Sequence, residues 1–415
     1  MNIDSPWQLA RLSAFTQKIG SGVTPKGGSS VYVSGGIPFI RSQNVADDRL
    51  DLSDVAFIDP ETHSEMTSSH VRSHDVLLNI TGASIGRSCV VPPDFVEGNV
   101  NQHVCIIRPI ECLDPYFLQF YLSSDLGQKQ IDLCQAGGNR QGLNYDQIGR
   151  FKIPLPPLSL QHAIVRVLST WDRGIRQLSD LIAAKLRFKQ GLMQQLLTGK
   201  RRFKEFRDDW KSMRIGDVAE VRFSGIDKKT LDGETPVRLC NYLDVYRNEM
   251  IRDDMVFMNG SATSREIESL SLRKHDVLIT KDSETPDDIA KAAYVVGDLD
   301  NVVLGYHLGL LRPYETVFGP YLSRLVMSPI MRYRFTRIAN GATRYGLPLA
   351  ATKRINIQVP SSIDEQQKIA NVADLADHEI DLLRKELDAL KTQKKGLMQK
   401  LLTGQVRVKL PKGGG

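Results

Sequence analysis

The sequence predicts an α+β protein built as a tandem repeat, two mainly-β globular domains each followed by one long α-helix. Three observations carry this. A nine-residue passage at residues 191–199, "GLMQQLLTG", returns 205 positions later at residues 396–404 as "GLMQKLLTG", with the single change of Gln195 to Lys400. Ahead of each copy an apolar residue recurs every three or four positions, the stripe of an amphipathic helix. Before each stripe the apolar residues come in short runs or alternate, with Gly, Pro, Asn and Asp between them, as strands and turns require.

The helices are the clearest elements. Ile164, Leu168, Trp171, Ile175, Leu178 and Ile182 are spaced 4, 3, 4, 3 and 4, a heptad seam. Ile369, Ala373, Ala376, Ile380, Leu383 and Leu387 repeat that spacing in the second half. Each helix should hold about 40 residues and reach roughly 60 Å. "PLPPLSLQ" stops the extended chain before the first and offers Ser159 as its N-cap, whereas in "SSIDEQQ" Ser362 and Glu365 have capping-box spacing. Gly199 and Gly404 stand where a left-handed residue closes a helix. The chain therefore divides into a globular domain at 1–157, a helix at 158–199, a second domain at 200–361, a second helix at 362–404, and a tail at 405–415.

The globular parts repeat more faintly, at offsets drifting from 198 to 205. "IPFIRSQNV" from Ile37 faces "TPVRLCNYL" from Thr235, and "HDVLLNITG" from His74 faces "HDVLITKDS" from His275. "HVCIIRP" from His103 faces "HLGLLRP" from His307, and "NRQGLNYDQIGRFKIPLP" from Asn139 faces "TRYGLPLAATKRINIQVP" from Thr343. The copies agree most where they are helical and least in polar loops. One scaffold carrying two loop sets would recognise two different things, while like helices would meet one kind of partner twice.

Composition narrows the classes. A chain of 415 residues with 41% hydrophobic and 25% charged content suits two or three globular domains. No run approaches the roughly 18 to 20 apolar residues of a membrane span, and the start has no basic flank leading into an apolar stretch, so no membrane and a cytoplasmic location are expected. Cys89, Cys105, Cys112, Cys134 and Cys240 are odd in number and never in C-x-x-C spacing, and read as buried thiols rather than disulfides or a metal site. A net charge of +6 suits nucleic acid without demanding it.

A search for catalytic parts returns little. "IGSGVTPKG" lacks the third glycine of a dinucleotide turn, and no phosphate-cradling G-x-x-x-x-G-K-[ST] exists. "PLPPLSL" has neither the leading Asn nor the aromatic residue of an adenine-methyltransferase N-P-P-[YF] turn. "TPDDIAK" opens like a nuclease metal motif but carries Ile289 where the second acid belongs. No catalytic residue, metal or cofactor on this chain is expected.

What remains are polar and basic groups at matched loop positions. In the first domain these are Arg41, Ser42, Gln43 and Asn44, then Asn79, Thr81, Ser84 and Arg87 around two glycines, with Gln102 and His103. In the second they are Arg238, Asn241, Tyr242, Lys281 and Asp282, with His307 and Tyr345. Arg suits guanine edges, Asn and Gln suit adenine edges, and Ser, Thr and backbone N–H groups suit phosphates. Singly, each also reads as a solvated loop residue, and the two histidines as hydrogen-bonded structural groups. Arg140 and Arg344 hold one place in R-x-G-L, which favours a grip on DNA backbone or on the loop itself over base reading. Basic residues also gather in "KLRFKQ" and "KRRFKEFRDDWK", either as a solvated helix face or for phosphate contact.

The duplicated plan, the "PLPPLSLQ" and "VPSSIDEQQKI" helix entries and the "GLMQ[QK]LLTG" exits together resemble the specificity subunit of type I restriction-modification systems. The second domain lacks the Gly-Ser-Gly-x-Thr-Pro opening that residues 20–25 supply in the first. The resemblance implies two target recognition domains, each binding one half of an asymmetric bipartite DNA target. It implies that the helices pack as an antiparallel coiled coil with pseudo-two-fold symmetry, spacing the halves and scaffolding partners. Trp171, Ile175, Leu178, Ile182, Leu192 and Leu196, with Ile380, Leu383, Leu387, Leu397 and Leu401, are the residues expected to serve those helices. Implied partners are two methyltransferase subunits carrying S-adenosylmethionine and ATP- and Mg-dependent restriction subunits. Beside this non-catalytic DNA-recognition role stands a second reading, a two-domain protein-interaction scaffold spaced by a coiled coil.

Overall fold

A computed structural model describes residues 7–46, 48–135, 142–227 and 229–408. Both long helices form, at Leu158–Leu196 and Ile363–Leu402. Two compact units result, one of residues 1–179 with 385–415 and the other of residues 180–384. Each unit thus holds a globular domain, the first part of the helix that follows it, and the last part of the other helix.

In the first unit the strands Thr16–Ser21, Val104–Pro109, Val76–Asn79 and Ser88–Val90 form one antiparallel sheet in that order. A smaller sheet sets Ile37–Ile40 between Ala56–Ile58 and Asn99–Val100, parallel to the latter. Every residue of the Val76–Asn79 strand is buried, because both its faces meet apolar cores. Val76 and Leu78 point into a core with Phe117 and Leu118 of the helix Pro115–Ser123, while Leu77 points into another with Ile40 and Val100. Alternation of side chains along a strand therefore serves two cores at once, which is why "VLL" shows no polar face.

The second unit repeats this plan with one strand more. Its main sheet runs Ala219–Phe223, Leu308–Pro313, Val277–Thr280, Ala292–Val295, Met250–Ile251, and its small sheet places Thr235–Cys240 between Met258–Ala262 and Val302–Leu304. Val277 and Ile279 again face one core and Leu278 the other.

The faint sequence matches mark buried anchors. Arg108 forks onto Asp75 with two bonds of 2.7 Å, and Arg312 onto Asp276 at 2.9 and 2.7 Å. Each aspartate, 1% exposed, also accepts from a backbone N–H three residues earlier, that of Arg72 or Arg273. Charges so deeply buried are tolerated because they are paired and their lone pairs are satisfied. The "HD" and "RP" of each repeat are these ion pairs.

The helix ends are built differently from what local sequence suggests. The first begins at Leu158, and the Pro157 carbonyl, accepting from Leu160 and Gln161, stands at its start, so Ser159 lies in the first turn and is not the cap. Ser362 does accept from the Glu365 N–H at 3.4 Å, but the Glu365 carboxylate takes both arms of Arg202 at 2.9 and 2.8 Å instead of closing the box. The shared device is a buried glutamine. Gln161 donates to the Cys112 and Pro156 carbonyls and accepts from the Asp114 N–H at 2.8 Å. Gln366, 205 positions on, does the same with the Thr316 and Pro360 carbonyls and the Phe318 N–H.

The repeated helix exits prove to be core. Met193, Leu196 and Leu197 pack in the second unit with Ile369, Ala370 and Ala373, and Met398, Leu401 and Leu402 pack in the first with Ile164 and Leu168. Lys189 pairs with Asp377, and Lys394 with Asp172. Contacts that climb one helix while descending the other make the helix segments antiparallel within each unit. Gly199 and Gly404 close the exits at φ +69° and +74°. Cys89, Cys105 and Cys240 are buried free thiols, whereas Cys112 is exposed and Cys134 only partly covered, against the expectation of five buried thiols.

Candidate nucleic-acid interface

The matched polar residues converge at one place in each unit, where the central strand ends and its long neighbour begins. In the second unit Val277–Thr280 runs out into Lys281 and Asp282, and His307 precedes Leu308–Pro313. The Lys281 N–H donates to the His307 carbonyl at 2.9 Å, which holds the two ends side by side. Asp282 Oδ2 accepts from Lys281 Nζ at 2.7 Å and lies 2.6 Å from His307 Nδ1. A carboxylate only accepts, so Nδ1 carries the ring proton and Nε2 is left as an acceptor. Arg344 Nη2 fills it with a long bond of 3.4 Å. Burial pushes the Asp282 carboxyl up, but the hydrogen bonds from Lys281 and His307 outweigh it and hold the group below the usual carboxylate range.

Arg344 arrives on the strand pair of Tyr345–Gly346 with Asp282–Ser283. A side chain at Gly346 would press on Asp282 Oδ1 at 3.1 Å. From the end of Thr235–Cys240 come Asn241 and Tyr242, which with His307 and Arg344 line a hollow of about 460 Å³. Tyr306, unremarked in the sequence, packs against His307 with its ring tilted by 57° and 3.9 Å between ring centres, and Lys281 Nζ lies 5.3 Å from its ring. The only signal for it was its place before the matched histidine, where the first domain has Gln102.

The first unit builds the same station from other side chains. His103 Nδ1 lies 2.5 Å from Thr81 Oγ1, and His103 Nε2 lies 3.0 Å from Gln102 Nε2. Thr24 donates to Gln102 Oε1 at 2.5 Å, which fixes the amide so that its nitrogen faces the imidazole. His103 thereby has the tautomer of His307. Thr81 bridges to Gly142, so the glycine of each R-x-G-L lies beside its station, while Arg140 is outside the described residues.

The other predicted residues separate. Asn44 is buried and its amide is spent on the Asp51 and Asp54 carbonyls, so it shapes the turn that presents Arg41, Ser42 and Gln43. Asn79 ties that turn to the next loop by donating to the Ser42 carbonyl at 2.9 Å and to Ser84 Oγ at 3.1 Å. Arg87 is exposed on the same loop. Strand pairing corrects the repeat register here. Ile40 pairs with Val100 as Cys240 pairs with Leu304, which makes Asn241 the counterpart of Arg41. Arg238 lies within the strand, bonded to the Asp300 carbonyl at 2.9 Å and to Asp253 at 2.7 Å, apart from the station.

Of the helix residues, Ile182 and Ile380 are buried and Trp171, Ile175, Leu178, Leu383 and Leu387 half-buried. Leu196 and Leu401 belong to the cores just described, with Leu192 and Leu397 packed against them, so the exits are occupied within this chain. Lys185 pairs with Glu379 at 2.6 Å, which places part of the basic "KLRFKQ" stretch in intrachain ion pairs.

Two like modules, each offering differently furnished polar stations, define a class of dual recognition proteins. The comparisons give the family. The model of the type I restriction modification DNA specificity domain matches twice, at residues 4–185 and 207–392, and the chain belongs to that family. It is 24% identical over 431 residues to the putative type I restriction enzyme MjaX specificity subunit of Methanocaldococcus jannaschii, covering 98% of this chain and 95% of that one. It is 28% identical over 172 residues to the type I restriction enzyme EcoBI specificity subunit of Escherichia coli, covering 40% of this chain and 36% of that one. Among solved structures, a type I restriction-modification system chain aligns with a TM-score of 0.63 at 18% identity, covering 96% of this chain and 98% of that one. The HsdS subunit from Thermoanaerobacter tengcongensis aligns with a TM-score of 0.52 at 17% identity, covering 96% and 97%. The chain is accordingly a specificity-subunit homologue with two DNA-recognition domains, and relatives of this kind are non-catalytic. No helix among the described residues is long and apolar enough to cross a membrane.

Proposed function

We propose that each unit reads one half of an asymmetric bipartite DNA target, that the two helices set the spacing of the halves, and that the chain brings two methyltransferase subunits to that target. S-adenosylmethionine belongs to those partners, and ATP and Mg to restriction subunits of the full complex, acting in the cytoplasm on nucleoid DNA. The observation that supports this is the duplicated station. One backbone plan and one histidine tautomer carry Thr81 and Gln102 in the first unit but Asp282 and Arg344 in the second. Conserved support with exchanged donors and acceptors is what reading two different sequences demands. Adenine methylation also requires the base to leave the stack, so the subunit would hold distorted duplex while its partners do the chemistry.

The test maps methylated adenines in cells expressing the chain with its methyltransferase. A bipartite motif with a constant gap is expected, and Arg41→Ala or Arg87→Ala should alter one half only. Equal loss in both halves, or no DNA binding with the partner present, would refute the assignment.

A further inference from the structure

The two arginines of R-x-G-L first read as grips on the DNA backbone. The surroundings of Arg344 argue otherwise. Its guanidinium is aimed by a relay in which Asp282 fixes the His307 proton on Nδ1 and the Nε2 lone pair receives an Arg344 N–H. A phosphate contact needs charge and tolerates many directions, whereas two parallel bonds to a base edge need the planar fork held in direction.

The neighbouring chemistry points the same way. On one side Arg344 borders the hollow whose remaining wall is Asp244 with Leu243, Val256 and Met258, the three apolar groups all exposed and Val256 95% exposed. Exposed apolar groups gathered beside an arginine are unsuited to an anion that must stay hydrated, and suited to the mixed edge of a base pair, with its carbonyl, ring nitrogen and pyrimidine methyl. On the other side it borders a second hollow whose lining includes Asp282 and Asp288, paired with Lys281 and Lys291, and Glu284, a wall that offers a phosphate no added cation. The backbone of His307 is itself held left-handed at φ +67°, a conformation that costs energy and is kept where the surroundings enforce it.

Resting on the DNA-recognition reading above, we propose that Arg344 is a base-reading residue of the second unit, forking onto O6 and N7 of a guanine in the major groove, with His307 and Asp282 as its positioning residues. In the first unit Gln102 takes the place on the imidazole that Arg344 takes in the second.

The test uses the full chain assembled with its methyltransferase and duplexes selected from a pool randomised in both halves. Wild type should select guanine at one position of the second half. Arg344→Ala and the charge-retaining Arg344→Lys should each lose that preference while the first half is unchanged, and replacing that base by 7-deazaguanine should weaken wild type by about tenfold to a hundredfold but Arg344→Ala by less than about twofold. His307→Gln, whose amide oxygen still accepts from Arg344, should keep the preference that His307→Leu loses. A backbone grip gives the opposite pattern: Arg344→Ala weakens all duplexes alike and lowers the salt slope by about one, while Arg344→Lys is nearly silent. That pattern, or a guanine preference that survives Arg344→Ala, overturns the proposal. Absence of any sequence preference in wild type would overturn the recognition reading itself and this inference with it.

Discussion

Truncating the two helix exits should uncouple sequence position from the place of damage. Leu401 is 2% exposed and Leu196 is 3% exposed, each in a core made chiefly by residues of the other half of the sequence. Leu→Ala at such a site removes buried methyl groups and leaves a cavity, at about 2 to 5 kcal/mol. For units of about 200 residues this is a fall in Tm of roughly 4 to 20 °C. The damage from Leu401→Ala should appear in the first unit, in the strands Val76–Asn79 and Val104–Pro109, more than 290 positions upstream. Leu196→Ala should loosen Val277–Thr280 and Leu308–Pro313 in the second. Hydrogen exchange on the full-length variants reads both at peptide resolution. Loss of protection by Leu401→Ala in residues 277–313 with residues 76–109 unaffected would refute the cross-packing of the exits.

Three further outcomes follow from buried groups. Gln161→Leu leaves the Asp114 N–H and two carbonyls without partners and should destabilise the first unit by about 2 to 4 kcal/mol in denaturant titration, as Gln366→Leu should the second; a change below about 0.5 kcal/mol would show water taking over those bonds. Burial pushes the Cys89 and Cys105 thiols up to about 12 and the Cys240 thiol well above its ordinary value, so a thiolate-selective reagent at neutral pH should label Cys112 first and those three only on unfolding, as intact-mass and peptide mapping would show. Asp282, held below its ordinary value of 3.8, favours the folded state above that value and loses its contribution as pH falls through the lower folded-state value. The destabilisation caused by Asp282→Asn should therefore be the same at pH 7 and pH 5 in denaturant titration, and a loss that changes by more than about 0.5 kcal/mol between them would contradict the assignment.

The helices were legible because their information is periodic and local. A seam spaced in threes and fours, glycines at the exits and a repeat at constant offset say helix whatever surrounds them. What the exits touch was not legible, because Leu196 and Leu401 would look the same facing a partner protein or a core assembled from distant sequence. Buried Gln161 and Gln366 were hidden for a similar reason: a polar residue in the first turn of a helix reads as solvated until the carbonyls above it are in place. Ser159 misled because Pro157 already supplies the carbonyl that begins the helix.

At the stations the histidines, Thr81, Asp282 and Arg344 could be found by matching the halves, but their roles lay in directions that a sequence does not carry. Arg238 and Arg41 are both arginines after an apolar strand start, yet one faces Asp253 in mid-strand and the other follows the strand end. A slip of three positions in aligning the repeats sets one opposite the other, and strand pairing with Val100 and Leu304 removes it. The same pairing separates scaffold from reader. Groups whose partners recur in both units, the Asp75 and Asp276 forks, the paired glutamines and the histidine tautomer, hold the shape. Groups that change while their supports do not, Gln102 into Tyr306, Thr81 into Asp282 and Arg41 into Asn241, are free to vary without unfolding the domain, and they surround the R-x-G-L arginine with different neighbours in each unit.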